Sequence, residues 1–331
     1  MVNAHFLNPI QEGIKENILD RIGNTPMLNF KLPNNDKVNL YAKLEGMNPT
    51  GSIKARPARY ILGRAYDEGI IKPGDAVIES SSGNFGLALA AYCKKMGFHF
   101  ICVADPYISE YNRQLILYYG AEIIMVDTPD EGGGYLLNRV RKIKELLVQR
   151  KDLYWINQYA NKWNAETYYC TLGQEISNEV EHLDYAFIGV SSGGTITGLS
   201  KKLRERYPGI RIVAVDAIGS KIFGMPPQKR NIPGIGSSMR PEILNDAHID
   251  EAVHISELET IESCLSLLRD HYLFLGGSSG TAYAGVHEYF KQNPPTGEVN
   301  ALLIFPDGGE KYFDTIYNAT WRQKITGISI L

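Results

Sequence analysis

From residue 76 onward, short apolar runs alternate with longer stretches in which apolar residues return every third or fourth position. The runs at 76–79, 98–103, 122–126, 185–190, 211–216 and 300–305 are rich in β-branched and aromatic residues and predict strands. Helical spacing fills the intervals at 85–96, 110–119, 135–149, 164–180 and 195–207, then at 257–269 and from 280 to about 291. Upstream, Ile18, Leu19 and Ile22 predict a short helix ended by the turn at 23–28, followed by a strand at 39–43 and a helix reaching to about 68. The rhythm pauses at 154–159 and loosens between Pro226 and Pro241, and the chain closes on a further helical segment. Strands separated by amphipathic helices predict parallel sheets covered on both faces. The pause divides the series into two doubly wound, mostly parallel α/β units, and ligands of such folds sit beyond the carboxyl ends of the strands.

Composition narrows the picture. At 331 residues, with 44% hydrophobic and 21% charged residues and 32 glycines, the chain reads as an ordinary soluble globular enzyme. Its 34 basic and 37 acidic residues give a net charge of -3 without long runs of either sign, so nothing marks a nucleic-acid surface and a small-molecule partner is expected. Cys93, Cys102, Cys170 and Cys264 lack CxxC spacing, no metal-ligand set is apparent, and the first residues do not resemble a leader, so a reduced, cytoplasmic protein is expected. No apolar stretch approaches the roughly 18 residues of a membrane span.

The chemistry gathers in turns. NPTGSIKARP at 48–57 sets Lys54 behind a Gly/Ser/Pro-rich turn at a helix start, a position that suits a solvated lysine as well as a reactive one. Ser80 to Asn84 follows a strand and opens a helix; its NH groups and hydroxyls suit a carboxylate, and its serines equally suit an N-cap. Ser191, Ser192, Gly193, Gly194 and Thr195 repeat the arrangement with two glycines, which favours a phosphate, in neither Walker nor dinucleotide spacing. A third turn spans Gly276 to Gly280 and includes Ser278. At 306–310, Asp307 is read as the N-cap of the closing helix in preference to an acid for a cofactor.

Six motifs in order, IGNTPML at 22–28, NPTGSIKARPA at 48–58, ESSSGNFGLALA at 79–90, SSGGTITG at 191–198, GIGSS at 234–238 and GGSSG at 276–280, resemble the cysteine synthase and cystathionine β-synthase family of fold type II pyridoxal phosphate enzymes. The resemblance spans nearly the whole chain. It implies a homodimer with the cofactor in the cleft between a smaller, mobile domain at 48–157 and a larger one made of 1–47 with 158–331. It further implies Lys54 as the Schiff-base lysine, Ser191 to Thr195 as the phosphate loop, Asn84 as the partner of the 3-hydroxyl and Ser278 as the partner of the pyridine nitrogen. Ser81, Ser82 and Gly83 would hold the substrate carboxylate. The family's phosphate loop often begins with Gly where this chain has Ser191.

Longer segments, at 133–147, 154–161, 213–224 and 233–244, resemble a siderophore-pathway branch of the family that joins O-phospho-L-serine to L-glutamate on the way to 2,3-diaminopropionate. The expected course is β-elimination to an α-aminoacrylate, with Lys54 as base, followed by addition of a nucleophile. A neutral Ser278 facing the pyridine nitrogen is expected to leave that nitrogen unprotonated. Glutamate brings carboxylates that need cationic or NH partners when desolvated. Arg139, flanking the apolar stripe Leu136, Val140, Ile143 and Leu147, and Arg240, just before Pro241, are candidates, with Tyr159 closing the pocket. A cysteine synthase using sulfide with O-acetylserine or O-phosphoserine is the alternative.

Overall fold

The computed structural model describes residues 16–130 and 133–328; the first residues of the larger expected domain lie outside the described residues. Two sheets organise it. The smaller contains β3 (Ala76–Ser80), β4 (His99–Ala104), β5 (Glu122–Met125) and β6 (Leu153–Trp155) in the order β5-β4-β3-β6, all parallel. Its connections are α2 (Asn84–Met96), α3 (Glu110–Tyr118) and α4 (Leu136–Gln149). The larger sheet has the order β1-β2-β10-β7-β8-β9, with β1 (Met27–Leu32), β2 (Asn35–Leu44), β7 (Tyr185–Gly189), β8 (Arg211–Ala217), β9 (Glu251–Ile255) and β10 (Val299–Phe305). Only the β1–β2 hairpin in it is antiparallel.

Strand alternation assigns each side chain to a face. In the larger sheet Ala186, Ile188, Ile212, Ala214, Leu302 and Ile304 enter one core while Phe187, Val213, Val215, Leu303 and Phe305 enter the other. In the smaller sheet Val77, Phe100 and Cys102 pack on one side and Ile78, Ile101 and Val103 on the other. Both faces of both sheets are therefore covered, which is why the interior strands read as nearly continuous apolar runs.

The differences from expectation have a common cause. β1, β6 and β9, which the pattern did not predict as strands, all lie at sheet edges. An edge strand buries less of itself, and in β1 the half-buried Leu28 and Phe30 alternate with the exposed Asn29 and Lys31. The long helix expected at 164–180 is two, α5 (Lys162–Cys170) and α6 (Leu172–Glu179), broken at Thr171. The turn at 276–280 is already the first turn of α9 (Gly277–Gln292). Among the described residues no helix is long and apolar enough to cross a membrane, and no group of His, Cys, Asp and Glu is placed to hold a metal ion.

The residues before α1 (Ala55–Asp67) occupy a seam. Ile53 packs into a core of the larger sheet and Ala55 into a core of the smaller one, so Lys54 lies between the two. Arg56 fastens the seam: its guanidinium meets Glu45 at 2.6 Å and Glu175 at 2.7 Å, all at buried or nearly buried positions. β2, β10 and β7 are neighbours, so the loops at their carboxyl ends, which include Lys54, Asp307 and Ser191 to Thr195, converge on one place.

Candidate active site

Lys54 is held at its backbone, and its tip carries a single long hydrogen bond. Gly51, at φ +72°, turns the chain with its NH on the Asn48 carbonyl at 2.8 Å, and Ile53 donates to the Pro306 carbonyl at 2.8 Å. Lys54 is the N-cap of α1 but makes no side-chain cap bond. Its Nζ lies 3.4 Å from Ser192 Oγ. Burial, with no carboxylate to offset it, pulls its pKa from 10.5 down to about 8. A neutral amine is therefore accessible near neutral pH.

The second turn faces Lys54. Gly193, at φ +86°, begins α7 (Gly194–Arg206), and a side chain there would meet Ile243 and Leu244 at 2.9 Å. At Gly194 a Cβ would lie 2.3 Å from Asn164 Oδ1, which itself has no hydrogen-bond partner among the described residues. Asn164 Nδ2 reaches Ser192 Oγ at 3.4 Å and the Gln158 carbonyl at 2.8 Å. Ser191 Oγ donates to the Gly236 carbonyl at 3.3 Å, and Thr195 stands in the first helical turn. The result is a cradle of backbone NH groups without side-chain caps, closed beneath by Thr197 Oγ1 on the Gly193 carbonyl at 2.8 Å.

The remaining turns meet at Asp307. Its carboxylate is fully buried and accepts from Ser278 Oγ at 2.8 Å, Asn84 Nδ2 at 2.8 Å and Tyr312 OH at 3.0 Å. This corrects the N-cap expectation: the short 3₁₀ turn that follows is capped by Gly309, and α10 (Ala319–Thr326) by Asn318. Asn84 and Ser278, which come from different sheets' helices, are thus tied through one carboxylate.

At the mouth of the smaller sheet the serines divide the work. Ser81 Oγ accepts from the NH groups of Gly83 at 3.3 Å and Gly86 at 2.9 Å, so it serves the helix end from two residues before the N-cap, which is Gly83 and not the serine or asparagine expected there. Ser82 Oγ accepts from the Asp105 NH at 2.9 Å and from Arg139 Nη1 at 3.0 Å. Arg139 is buried and also lies 3.3 Å from Asp105. Gly83 has open space where a side chain would stand. Tyr159 is half-buried, and burial pushes its phenol up to about 12. Arg240 is exposed and donates to the Ile222 carbonyl at 3.2 Å, so of the candidate arginines Arg139 is the one brought to the serine turn.

Arg230 went unnoticed in the sequence. Its Nη1 is buried without a hydrogen-bond partner among the described residues, and a Cβ on Gly236 would lie 2.1 Å from it. It interacts electrostatically with Tyr159, Asp216, Glu257 and Asp130. Glu79 lies fully buried beneath the turn, accepting from the NH groups of Ser80 and Gln158, and burial raises its pKa to about 7. Neither stands out by spacing: Arg230 sits in a polar, proline-rich stretch and Glu79 in an apolar run.

A model of the pyridoxal-phosphate dependent enzymes matches residues 18–307, and the chain belongs to that family: it is a fold type II β-replacement enzyme whose cofactor is pyridoxal phosphate. The N-(2-amino-2-carboxyethyl)-L-glutamate synthase of Cupriavidus metallidurans is 42% identical to it over 311 residues, 93% of this chain and 91% of that protein. The crystal structure of an O-acetylserine dependent cystathionine β-synthase from Helicobacter pylori superposes with a TM-score of 0.86 at 33% identity, over 92% of this chain and 100% of the other. A hydrogen sulfide-producing enzyme from Fusobacterium nucleatum superposes with a TM-score of 0.83 at 28% identity, over 90% and 100%. The groups at the cleft fit the cofactor in kind. An amine with a lowered pKa, a glycine cradle closed to any side chain, and an amide and a hydroxyl sharing one carboxylate answer to an aldehyde, a phosphate, a phenolate oxygen and a ring nitrogen.

Proposed function

We propose that the enzyme replaces the phosphate of O-phospho-L-serine with the amine of L-glutamate, forming N-(2-amino-2-carboxyethyl)-L-glutamate as a step toward 2,3-diaminopropionate. In this reading Lys54 attaches the cofactor, the NH groups of Ser191 to Thr195 hold its phosphate, Asn84 its phenolate oxygen and Ser278 its ring nitrogen. Bound pyridoxal phosphate supplies the electron sink that acidifies the α hydrogen of the substrate. Once displaced by the incoming amino acid, Lys54 Nζ takes that proton, a role its pKa of about 8 suits. Ser81, Ser82 and Gly83 sit where α2 begins and present the α-carboxylate with its first-turn NH groups. These residues belong to the smaller domain at 48–157, which moves against the remainder to close the site.

The observation that carries the choice of substrates is the pair of arginines, Arg139 and Arg230, both within electrostatic reach of Tyr159. A phosphate leaving group and a second substrate with two carboxylates need such cations once water is excluded, whereas sulfide needs none. Tyr159 covers the pocket and Arg240 lies at its exposed rim. The sequence likeness to a synthase that makes this product supports the same choice.

The test is to incubate the holoenzyme with O-phosphoserine or O-acetylserine, each with glutamate or sulfide, and to identify products by mass. The reading expects the phosphoserine and glutamate pair to turn over fastest. Cysteine as the dominant product would assign the enzyme to the sulfide-using alternative instead.

A further inference from the structure

Glu79 stands at the carboxyl end of β3, fully buried beneath the serine turn. Both of its oxygens face NH groups: Oε1 accepts from Ser80 at 2.6 Å and Oε2 from Gln158 at 3.1 Å. Gln158 returns the contact, its Nε2 donating to the Ser80 carbonyl at 3.1 Å, so the first residue of the turn is held at both its NH and its carbonyl. The connection continues toward the larger sheet. The Gln158 carbonyl accepts from Asn164 Nδ2 at 2.8 Å, and that amide reaches Ser192 Oγ, the neighbour of Lys54 Nζ, at 3.4 Å. Tyr159 follows directly, its carbonyl accepting from the Ile243 NH at 3.2 Å.

Only an ionised carboxyl serves two NH donors equally well with its two oxygens. A protonated carboxyl carries a hydrogen on one of them, and an amide replaces one with an NH₂ that would meet an NH donor to donor. We infer that Glu79 is a positioning residue whose charge sets the turn at Ser81 to Gly83 in register with the crossing segment at Gln158 and Tyr159, so that affinity for the amino-acid substrate follows the ionisation of Glu79. The inference rests on the reading above that this turn receives the substrate α-carboxylate. Glu79 acts through the backbone of the turn and not by contact with the substrate. Burial raises its pKa from 4.5 to about 7, against the opposing pull of its two NH groups and of Arg139 on α4. The phenol of Tyr159 and the thiol of Cys102, which also face it, are pushed up to about 12 by burial and stay neutral in that range. Asp105, 3.3 Å from Arg139, adds a second carboxylate to the group. The charge of Glu79 therefore changes near neutral pH.

The experiment titrates L-alanine, which has the α-carboxylate and amine but no leaving group, into the holoenzyme and follows the absorbance of the cofactor between pH 6 and pH 8. Wild type is compared with Glu79→Gln at equal cofactor loading, and the ratio of the two affinities cancels the titration of the ligand's own amine. Wild type is expected to bind about tenfold tighter at pH 8, the scale of one buried hydrogen bond to a charged group. With a pKa of about 7, that advantage should shrink to about twofold at pH 6, where the wild-type carboxyl is itself mostly protonated. A ratio near one throughout overturns the inference, and so does a constant advantage at every pH, which a merely structural loss would produce. Wild type alone provides a check that needs no variant to fold: corrected for the amine, its affinity should fall about fivefold from pH 8 to pH 6, and a flat profile overturns the inference. Ser82→Ala separates the inference from the reading beneath it. If Ser82→Ala weakens L-alanine binding and Glu79→Gln does not, the inference alone fails; if neither does, the turn is not the carboxylate site and both fail.

Discussion

Two turns of similar composition, Ser80 to Asn84 and Ser191 to Thr195, both leave a parallel strand and open a helix, yet they use their hydroxyls in opposite ways. In the first, Ser81 spends its oxygen on the NH groups of Gly83 and Gly86, and Ser82 is engaged by Asp105 and Arg139. In the second, no side chain caps the helix, Gly193 takes the left-handed conformation, and Ser192 Oγ lies near Lys54 and Asn164 instead. The first turn is stabilised from within by Ser81, which takes two NH groups and leaves those of Asn84 and Phe85 to a ligand, whereas the N-cap of the second makes no side-chain bond at all. What separates them is the second glycine: Gly194 lets the chain pass against Asn164, where Gly83 faces open space.

The largest expected effect tests that difference directly. Gly194→Ala would place a methyl 2.3 Å from Asn164 Oδ1 and 2.4 Å from its Cγ, which forces the cradle or Asn164 to move. We expect a loss of about 1–3 kcal/mol, as for other overpacked sites, with cofactor affinity falling in parallel. Gly83→Ala, with nothing within 4 Å and an ordinary φ of -120°, should keep stability within about 0.5 kcal/mol. Thermal melts with and without cofactor, alongside cofactor titrations, compare the two. Equal losses in both variants would show that the turns are built alike.

Lys54 sharpens the contrast through pH. Its folded pKa of about 8 lies below the ordinary 10.5, so folding disfavours the charged form. The unfolded chain then binds more protons between these values, and stability rises with pH across that window. The penalty is fully present below about 8 and gone above 10.5. Lys54→Met in the cofactor-free protein should therefore raise stability at pH 7 by about 1–3 kcal/mol, and the gain should shrink as pH approaches 10.5. Urea melts at several pH values measure it. A gain independent of pH would mean that packing of the methionine, not the buried charge, is responsible.

The legible parts of this chain are those whose physics is local. Interior strands buried on both faces are continuous apolar runs, and β3, β4, β7, β8 and β10 all coincide with predicted runs, while the half-exposed edges β1, β6 and β9 do not. The glycine and serine turns were visible because glycine permits backbone conformations that few other residues adopt. Asp307 was misread because its partners Ser278 and Asn84 stand 29 and 223 positions away, and no local pattern encodes such a meeting. The same holds for Arg230, whose surroundings, Tyr159, Asp216, Glu257 and Asp130, come from two loops, a strand and a helix start far apart in the chain. Arg139 was half legible: helical spacing put it beside the buried stripe, but only the fold sets it against Ser82.

The smallest expected effect separates the two serines themselves. Ser81→Ala removes the acceptor of the Gly83 and Gly86 NH groups, and losing a cap of this kind costs about 1 kcal/mol. Ser192→Ala removes only contacts of 3.4 Å, and Asn164 Nδ2 keeps its 2.8 Å bond to the Gln158 carbonyl, so stability should change by no more than about 0.5 kcal/mol. Function should show the reverse order. Ser192 stands beside the reactive amine, so Ser192→Ala is expected to lower kcat/KM several-fold, while Ser81→Ala, with its hydroxyl turned inward, lowers it less. Chemical denaturation and steady-state kinetics on the two variants read both scales. If Ser81→Ala proved the more damaging to kcat/KM at equal cofactor loading, its hydroxyl would have to serve the substrate as well as the helix.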